Sequence, residues 1–288
     1  MASTVLVTGA ARGIGLATAR RFLQDGWQVA LLDIDGPAQR DAARALGDAD
    51  RVLPLTCDVA VVAEVDAAFA EVRDRFGTLH ALVNNAGVNR DRTLMRMSGE
   101  EFDDVIAVNL RGTWACSKHA ALAMKESGGC ILNVTSNSGL TGSIGQTNYA
   151  AAKAGVVGMT FTWAQELSRY GIRCNAIWPL ALTQMTEPVF ARRKQQAEEA
   201  GDPVPAPADA GFGDPDDVAP LVAFLLSDAA SEINGQVISF NGRKLALWSH
   251  PREIQIERRD AWTLDDLIRD FGATTGQSLE AMYRASAT

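Results

Sequence analysis

The sequence predicts an α/β protein built on a doubly wound parallel sheet of about seven strands with helices on both faces. Two observations carry this. Short apolar, β-branched-rich runs alternate along the chain with amphipathic stretches of helical period. Most of these runs also end in glycine, Asp, Asn or Ser, which suits turns gathered along one sheet edge. A length of 288 residues gives room for one large domain with a well-buried core.

The first run, Val5-Leu6-Val7, is read as a strand buried on both faces. Thr8-Gly9-Ala10-Ala11-Arg12-Gly13-Ile14-Gly15 follows at once, and a helix then begins with Leu16, Ala19, Phe22 and Leu23 at helical spacing. Strand, glycine turn, helix is the setting in which backbone N–H groups approach a pyrophosphate at a helix N-terminus. The second strand, from Gln28 to Leu32, ends at Asp33, about 20 residues past the turn, where a carboxylate can accept both adenosine ribose hydroxyls. Arg12 is the competing signal, because a basic residue in the turn suits a 2′-phosphate. Asp33 decides for NAD, since a carboxylate repels a phosphate dianion at close range.

A third strand, Val52 to Cys57, ends at Asp58-Val59, and a helix is expected from about Val61 to Phe76. The fourth, Ala81 to Val83, ends in Asn84-Asn85-Ala86-Gly87. Right-handed crossovers bring Gly9, Asp33, Asp58 and Asn85 to one edge. There Asn85 and Gly87 either pack against adenosine or only stabilise the strand end. A helix containing Val105, Val108, Asn109 and Thr113 precedes the fifth strand, Cys130 to Val134, which delivers Ser136 to the same edge. A long helix from about Tyr149 to Tyr170 comes next, its first turns lined by Ala150 to Ala152, Ala154, Gly155 and Gly158. That small surface suits close packing, including against a partner subunit. Arg173 to Trp178 is the sixth strand, ending at Pro179.

Tyr149 and Lys153 stand four apart, about one helical turn, on one face. A phenol beside a fixed ammonium makes an acid/base unit whose pKa the cation is expected to lower. The Ser136 hydroxyl can hydrogen-bond an oxygen held in front of that phenol.

Composition narrows the classes. Hydrophobic residues make up 47% and charged residues 22%, ordinary for a globular protein, and the formal net charge is −8. No basic patch suits nucleic acid or an anionic membrane. Cys57, Cys116, Cys130 and Cys174 are scattered without a CxxC pair, and three histidines are unclustered, so neither a disulfide frame nor a metal site is expected. No secretory segment precedes the first strand and no run is long enough to span a bilayer, so a cytoplasmic location is expected.

Together these residues resemble the short-chain dehydrogenase/reductases: TGxxxGxG at Thr8 to Gly15, NNAG at Asn84 to Gly87, Asn109, Ser136, and YxxxK at Tyr149 and Lys153. The likeness spans about residues 3 to 243. It implies a Rossmann-type fold in which Tyr149 is the general acid/base and Lys153 holds the nicotinamide ribose and lowers the phenol pKa. It further implies that Ser136 positions the substrate oxygen and Asn109 supports a water in a proton relay. Ser138 competes for the serine role, and the family spacing selects Ser136. The resemblance extends the cofactor set to Gly9, Arg12, Gly13, Ile14, Gly15, Asp33, Asp58, Val59, Asn85, Ala86, Gly87, Tyr149, Lys153, Pro179, Leu182 and Thr183, and implies a homotetramer.

The chain departs from the family after Pro179. Leu180 stands where glycine is usual, and the stretch to Thr183 is one residue shorter, so an altered loop is expected there. A charged helix candidate from Glu187 to Ala200 opens a lid over residues 187–217. From residue 244 the chain forms an extension, with a short strand at Ile254 and Ile256 and a capping box at Thr263 opening a helix with Leu264, Leu267, Ile268 and Phe271 on one face. That stripe packs on its own domain or on another subunit. The tail is similar to the hydroxyacyl-CoA dehydrogenase-like branch related to peroxisomal multifunctional enzymes.

Asn89 to Met97 is similar to the matching segment of 3-oxoacyl thioester reductases. Where carrier-dependent reductases place two basic docking residues, this chain has Ser127 and Tyr170. The negative charge also disfavours an acidic carrier. The reading is an NAD-dependent oxidoreductase of secondary alcohols or their ketones, such as a 3-hydroxyacyl-CoA, acting on a small molecule. The alternatives are a 3-oxoacyl carrier-protein thioester with NADPH as substrate and cofactor, and a cofactor-binding sensor or assembly subunit impaired in catalysis.

Overall fold

In the computed structural model, which describes residues 2–278, the apolar runs become strands of a single eight-stranded sheet. Residues 279–288, the end of the expected extension, lie outside the described residues. The strands are β1 (Thr4–Thr8), β2 (Gln28–Asp33), β3 (Val52–Thr56), β4 (Ala81–Asn84), β5 (Gly129–Val134), β6 (Ile172–Pro179), β7 (Val237–Phe240) and β8 (Leu245–Leu247). Their order is β3-β2-β1-β4-β5-β6-β7-β8. All pairings are parallel except β7 with β8, which is antiparallel.

The connecting helices are α1 (Gly13–Gln24), α2 (Gly36–Leu46), α3 (Val62–Phe76), α4 (Gly99–Val105), α5 (Thr113–Ala123), α6 (Asn137–Thr141), α7 (Thr147–Glu166), α8 (Glu187–Ala200) and α9 (Pro215–Leu226). Central strands are buried on both faces, as their unbroken apolar runs require. Val5, Val7, Leu31 and Leu132 pack with Phe22 and Leu225 on one side. Leu6, Leu32, Leu82 and Ile131 pack with Val65, Val72 and Cys116 on the other.

Successive strands move outward from β1 to β3, and the chain then restarts at β4 on the other side of β1. That reversal leaves a crevice between the ends of β1 and β4, where open α/β sheets take ligands. The glycine turn after β1 and Asn85 after β4 flank it.

Several elements differ from expectation. The long helix begins at Thr147 and stops at Glu166, because Ser168–Tyr170 tightens into a 3₁₀ turn closed by Gly171 in the left-handed region. The sheet gains β8 beyond the expected boundary at residue 243, its Leu247 opposite Ile238. A π-helical stretch, Ile106–Gly112, separates α4 from α5.

The contacts divide the chain into one unit up to Trp248 and another from Ser249. In the second, Thr263 caps α10 (Leu264–Asp270), its hydroxyl accepting from the Asp266 amide at 3.1 Å. Arg259 and Arg269 both pair with Asp266 and Asp270. Leu264, Leu267, Ile268 and Phe271 are exposed. The strand expected at Ile254 and Ile256 does not form, and both side chains are exposed. An isolated apolar alternation has no neighbour to complete its hydrogen bonds.

Gly15 sits where α1 meets the first turn, and a Cβ there would fall 2.2 Å from the Gly9 carbonyl oxygen. Gly15→Ala is expected to lower stability by about 2–4 kcal/mol, measured by chemical denaturation, because backbone cannot yield as a side-chain tip can.

Candidate active site

The glycine turn is shaped by two residues in the left-handed region, Gly9 (φ 64°) and Gly13 (φ 56°). It is held from across the crevice. The Asn85 amide donates to the carbonyl oxygens of Thr8 and Gly9, both at 3.0 Å, and the Thr8 hydroxyl accepts from the Asn85 and Ala86 backbone N–H groups at 3.0 Å. Of the two readings left open for Asn85, its side chain serves the strand end. Thr8 was not singled out from the sequence, although a hydroxyl directly before the glycine turn is a usable signal.

Asp33 ends β2 with its carboxylate turned to the same place. One oxygen accepts from the Ala11 amide at 2.9 Å and the other from the Asp35 amide at 3.0 Å. Arg12 is paired with Asp35 and also donates to the Gln184 amide oxygen at 3.2 Å. The hydrogen bond from the Ala38 amide, followed by the one from Arg12, holds the Asp35 carboxyl below the usual carboxylate range. Arg12 offers no side-chain cap to α1, so the first-turn amides beside Gly13, Ile14 and Gly15 face the crevice without one. An uncapped helix start beside a glycine turn, with a carboxylate one strand away, fits a dinucleotide. Asp58, at the end of β3, accepts from the Ala60 amide at 2.9 Å, and buried Val59 packs where a Cβ on Gly112 would fall.

Beyond β6 the altered loop avoids the conformation that glycine would permit: no residue other than glycine has positive φ among the described residues. Leu180 and Leu182 instead hydrogen-bond to Gly213 on both sides, at 3.0 and 2.9 Å. This brings Thr183 beside the glycine turn, since a Cβ on Gly13 would lie 3.5 Å from its methyl group. Pro179 closes β6 just before this loop. The candidate lid helix α8 has no buried residue, but Phe190 and Arg193 pack on Phe212, at 5.8 and 5.2 Å.

Tyr149, Lys153 and Ser136 meet at the ends of β5 and α7, all nearly buried. Gly139 permits the approach, because a Cβ there would fall 2.5 Å from the backbone of Lys153 and Ala154. The Lys153 ammonium donates to the Val134 carbonyl at 2.8 Å and lies 5.6 Å from the Tyr149 ring centre. Asn109 lies within the π-helical stretch, a geometry common at functional sites. Its side chain accepts from the Val88 N–H at 2.8 Å and donates to the Val88 carbonyl at 3.0 Å. A Cβ on Gly87 would lie 3.4 Å from Asn109 and 3.8 Å from Lys153.

The lowered phenol pKa expected from the sequence is not what these groups produce. Burial pushes Tyr149 up to about 12, against a hydrogen bond with Ser136 that lowers it, and the Asp91 charge adds to the rise. Burial also pulls Lys153 down to about 8. Desolvation outweighs the cation because the ammonium is directed at a backbone carbonyl.

Around Ser136 lies a polar chain that the sequence did not disclose. The Ser138 hydroxyl donates to the Gln146 side-chain oxygen at 2.6 Å, and the Gln146 amide donates to Asp91 at 2.9 Å.

A family model described as Enoyl-(Acyl carrier protein) reductase matches residues 9–242. The chain belongs to the short-chain dehydrogenase/reductase family. It is 42% identical over 250 residues to the (3R)-3-hydroxyacyl-CoA dehydrogenase of Mus musculus, covering 82% of this chain and 94% of that one. It is 39% identical over 249 residues to the 3-oxoacyl-(acyl-carrier-protein) reductase FabG of Staphylococcus aureus, covering 84% and 98%. The crystal structure of a short chain dehydrogenase from Mycobacterium avium superposes with a TM-score of 0.81 at 33% identity, covering 99% of this chain and 98% of that one. The protein is an oxidoreductase of this family. Among the described residues no helix is long and apolar enough to cross a membrane.

A lysine whose folded pKa lies below its unfolded value binds fewer protons when folded, so stability rises with pH between the two. For Lys153 that window runs from about 8 to the ordinary lysine value of 10.5. The stability of the wild type relative to Lys153→Met is expected to improve by a few kcal/mol across it and to stay flat below, measured by denaturant titration at each pH. A pH-independent difference overturns this. Asn85→Ala is expected to cost about 1–3 kcal/mol in the same assay.

Proposed function

We propose that the protein is an NAD-dependent oxidoreductase that interconverts a secondary alcohol and its ketone, with 3-hydroxyacyl-CoA and 3-oxoacyl-CoA thioesters as the substrate class. The observation that carries this is the convergence of Ser136, Tyr149 and Lys153 beside the crevice that holds the glycine turn. Thioesters of CoA are favoured by the name of the mouse relative and by the absence of basic residues at Ser127 and Tyr170.

When bound, a nicotinamide dinucleotide supplies the hydride chemistry. The first-turn amides of α1, with Gly9, Gly13, Ile14 and Gly15, would receive its pyrophosphate. Asp33 would accept the adenosine ribose hydroxyls, with Asp58, Val59, Ala86 and Gly87 around the adenosine. Pro179, Leu182 and Thr183 would border the nicotinamide. Arg12, the group that could favour a 2′-phosphate, is held by Asp35, which supports NAD over NADP.

Ser136 would hold the substrate oxygen, and Lys153 the nicotinamide ribose. Tyr149 would pass a proton to or from the substrate oxygen as the carbon gains or loses hydride. With its pKa near 12 the phenol is protonated at neutral pH, which suits the general acid of ketone reduction. Asn109 is committed to Val88 through its side chain, so any water in a relay would meet its main-chain carbonyl, which already accepts from Thr113 at 2.8 Å. Residues 187–217 would close over the substrate.

The chain would act as a homotetramer, with exposed Trp114 and Leu122 on α5 and the open surface at Gly158 on α7 available to partner subunits. Four buried free thiols suit the reducing cytoplasm.

Purified protein with acetoacetyl-CoA should oxidise NADH, read at the reduced nicotinamide band, with about tenfold or greater kcat/KM over NADPH. Tyr149→Phe should lower kcat by about 10²–10⁴. A preference for NADPH would refute the role of Asp33, and unchanged turnover in Tyr149→Phe would refute the mechanism. Sedimentation at micromolar concentration should give a tetramer; a monomer overturns the assembly.

A further inference from the structure

We infer that Asp91 and Gln146 are positioning residues that fix the direction of a hydrogen-bond chain ending at Ser136, so that Ser136 alone of the local serines is left to donate to a substrate oxygen. The inference rests on the reaction proposed above and names what sets its geometry.

The chain can be followed group by group. A carboxylate only accepts, so the Gln146 side chain must turn its NH₂ to Asp91, as it does at 2.9 Å. Its oxygen then faces the Ser138 hydroxyl, 2.6 Å away, and that hydroxyl must donate. Ser138 has one proton and it is committed. Ser143, 3.0 Å from Ser138, must therefore donate to it, although the distance alone allows either direction. The Ser136 hydroxyl meets Ser138 at 3.4 Å and the Asn137 side-chain oxygen at 3.1 Å, and its oxygen accepts from the Ser138 amide at 3.2 Å. Besides its hydrogen bond with Tyr149, Ser136 thus meets two acceptors, Ser138 and Asn137, through long bonds that a better-placed substrate oxygen can replace. Ser138 is directed away from this role by Asp91, two bonds removed.

The backbone supports the same arrangement. Arg92 donates its N–H to the Gly145 carbonyl at 2.8 Å, tying the segment that carries Asp91 to the turn before Gln146. Asn148, fully buried, donates to the carbonyls of Arg90 and Glu101 at 3.0 and 2.8 Å. Ser138 is buried and Asp91 is exposed, so the chain runs from solvent to the catalytic serine. The charged and titratable groups on or paired with the segments packed against residue 146 are Arg90, Asp91, Arg92, Glu101, Asp104, Tyr149 and Lys153; Arg92 is paired with Glu101 at 3.1 Å and Arg90 with Asp104 at 3.4 Å.

The test is a set of four variants assayed for acetoacetyl-CoA reduction by NADH. Gln146→Ala is expected to lower kcat about tenfold with KM changed by less than about threefold, the pattern of a misoriented rather than a missing group. Gln146→Glu places two carboxylates face to face at neutral pH. Once one is protonated, the donor towards Asp91 is restored, so the ratio of variant to wild-type kcat should rise as pH falls from 8 to 5.5. Asp91→Ala should resemble Gln146→Ala, and Asp91→Asn, which keeps an acceptor, should recover most of the rate. A pH-independent ratio, or wild-type kcat in Gln146→Ala, overturns the inference. If the wild type turns over no 3-oxoacyl-CoA, the substrate reading fails on its own. The inference is then decided by crystal structures of Gln146→Glu at pH 5.5 and 8: a Ser136 hydroxyl that shifts at the higher pH supports it, and one that stays fixed at both overturns it.

Discussion

Everything at the candidate site depends on how two neighbouring strands end. Past Thr8 and Asn84, β1 and β4 can no longer pair, and their next backbone groups would be left without partners in a half-buried crevice. The Thr8 hydroxyl and the Asn85 amide answer this by crossing between the strands and binding each other's backbone. The glycine turn keeps its left-handed corners because its carbonyls are held, and the start of α1 is aimed into the crevice as a result. A dinucleotide reading of that turn rests on this cross-strand clamp more than on the glycines themselves, which permit the shape without enforcing it.

The same economy of polar groups governs the second half of the site. α7 approaches β5 closely because Gly139 has no side chain, and the approach removes water from Lys153 and Tyr149 together. Both lose their charged forms in part, so their pKa values move toward neutrality of charge rather than toward an ion pair. Burial thus raises the pKa of the phenol and lowers that of the amine, two groups carried one turn apart on α7.

Much of this was legible in the sequence. Val5 to Val7, the Gly9-Gly13-Gly15 turn and Asp33 gave the order of elements, and YxxxK gave the pairing of Tyr149 with Lys153 on one helix face, because these signals are local and their spacing is fixed by helix and strand geometry. The capping box at Thr263 was equally plain. What escaped had non-local causes. Asn85 remained ambiguous because its partners lie more than seventy residues away, across the sheet. Gln146 and Asp91 carry no motif and meet only once the loop after β4 folds onto the turn before α7. The phenol pKa was misjudged because charge spacing is visible in a sequence and burial is not. Ile254 and Ile256 alternate as a strand should, but no neighbour completes them.

The two rims of the sheet bear on how the molecule behaves in a crowded solution. At one rim β3 carries Pro54, which has no amide proton to offer, and at the other β8 covers β7 with only three residues. Open rims of parallel sheets are templates for unwanted polymerisation, and both are blunted here, one by a missing donor and one by brevity. The stretch around Leu245 to Leu247 therefore serves colloidal safety, whatever the chemistry at the opposite end of the strands. A chain ending before it would leave the outer edge of β7 uncovered.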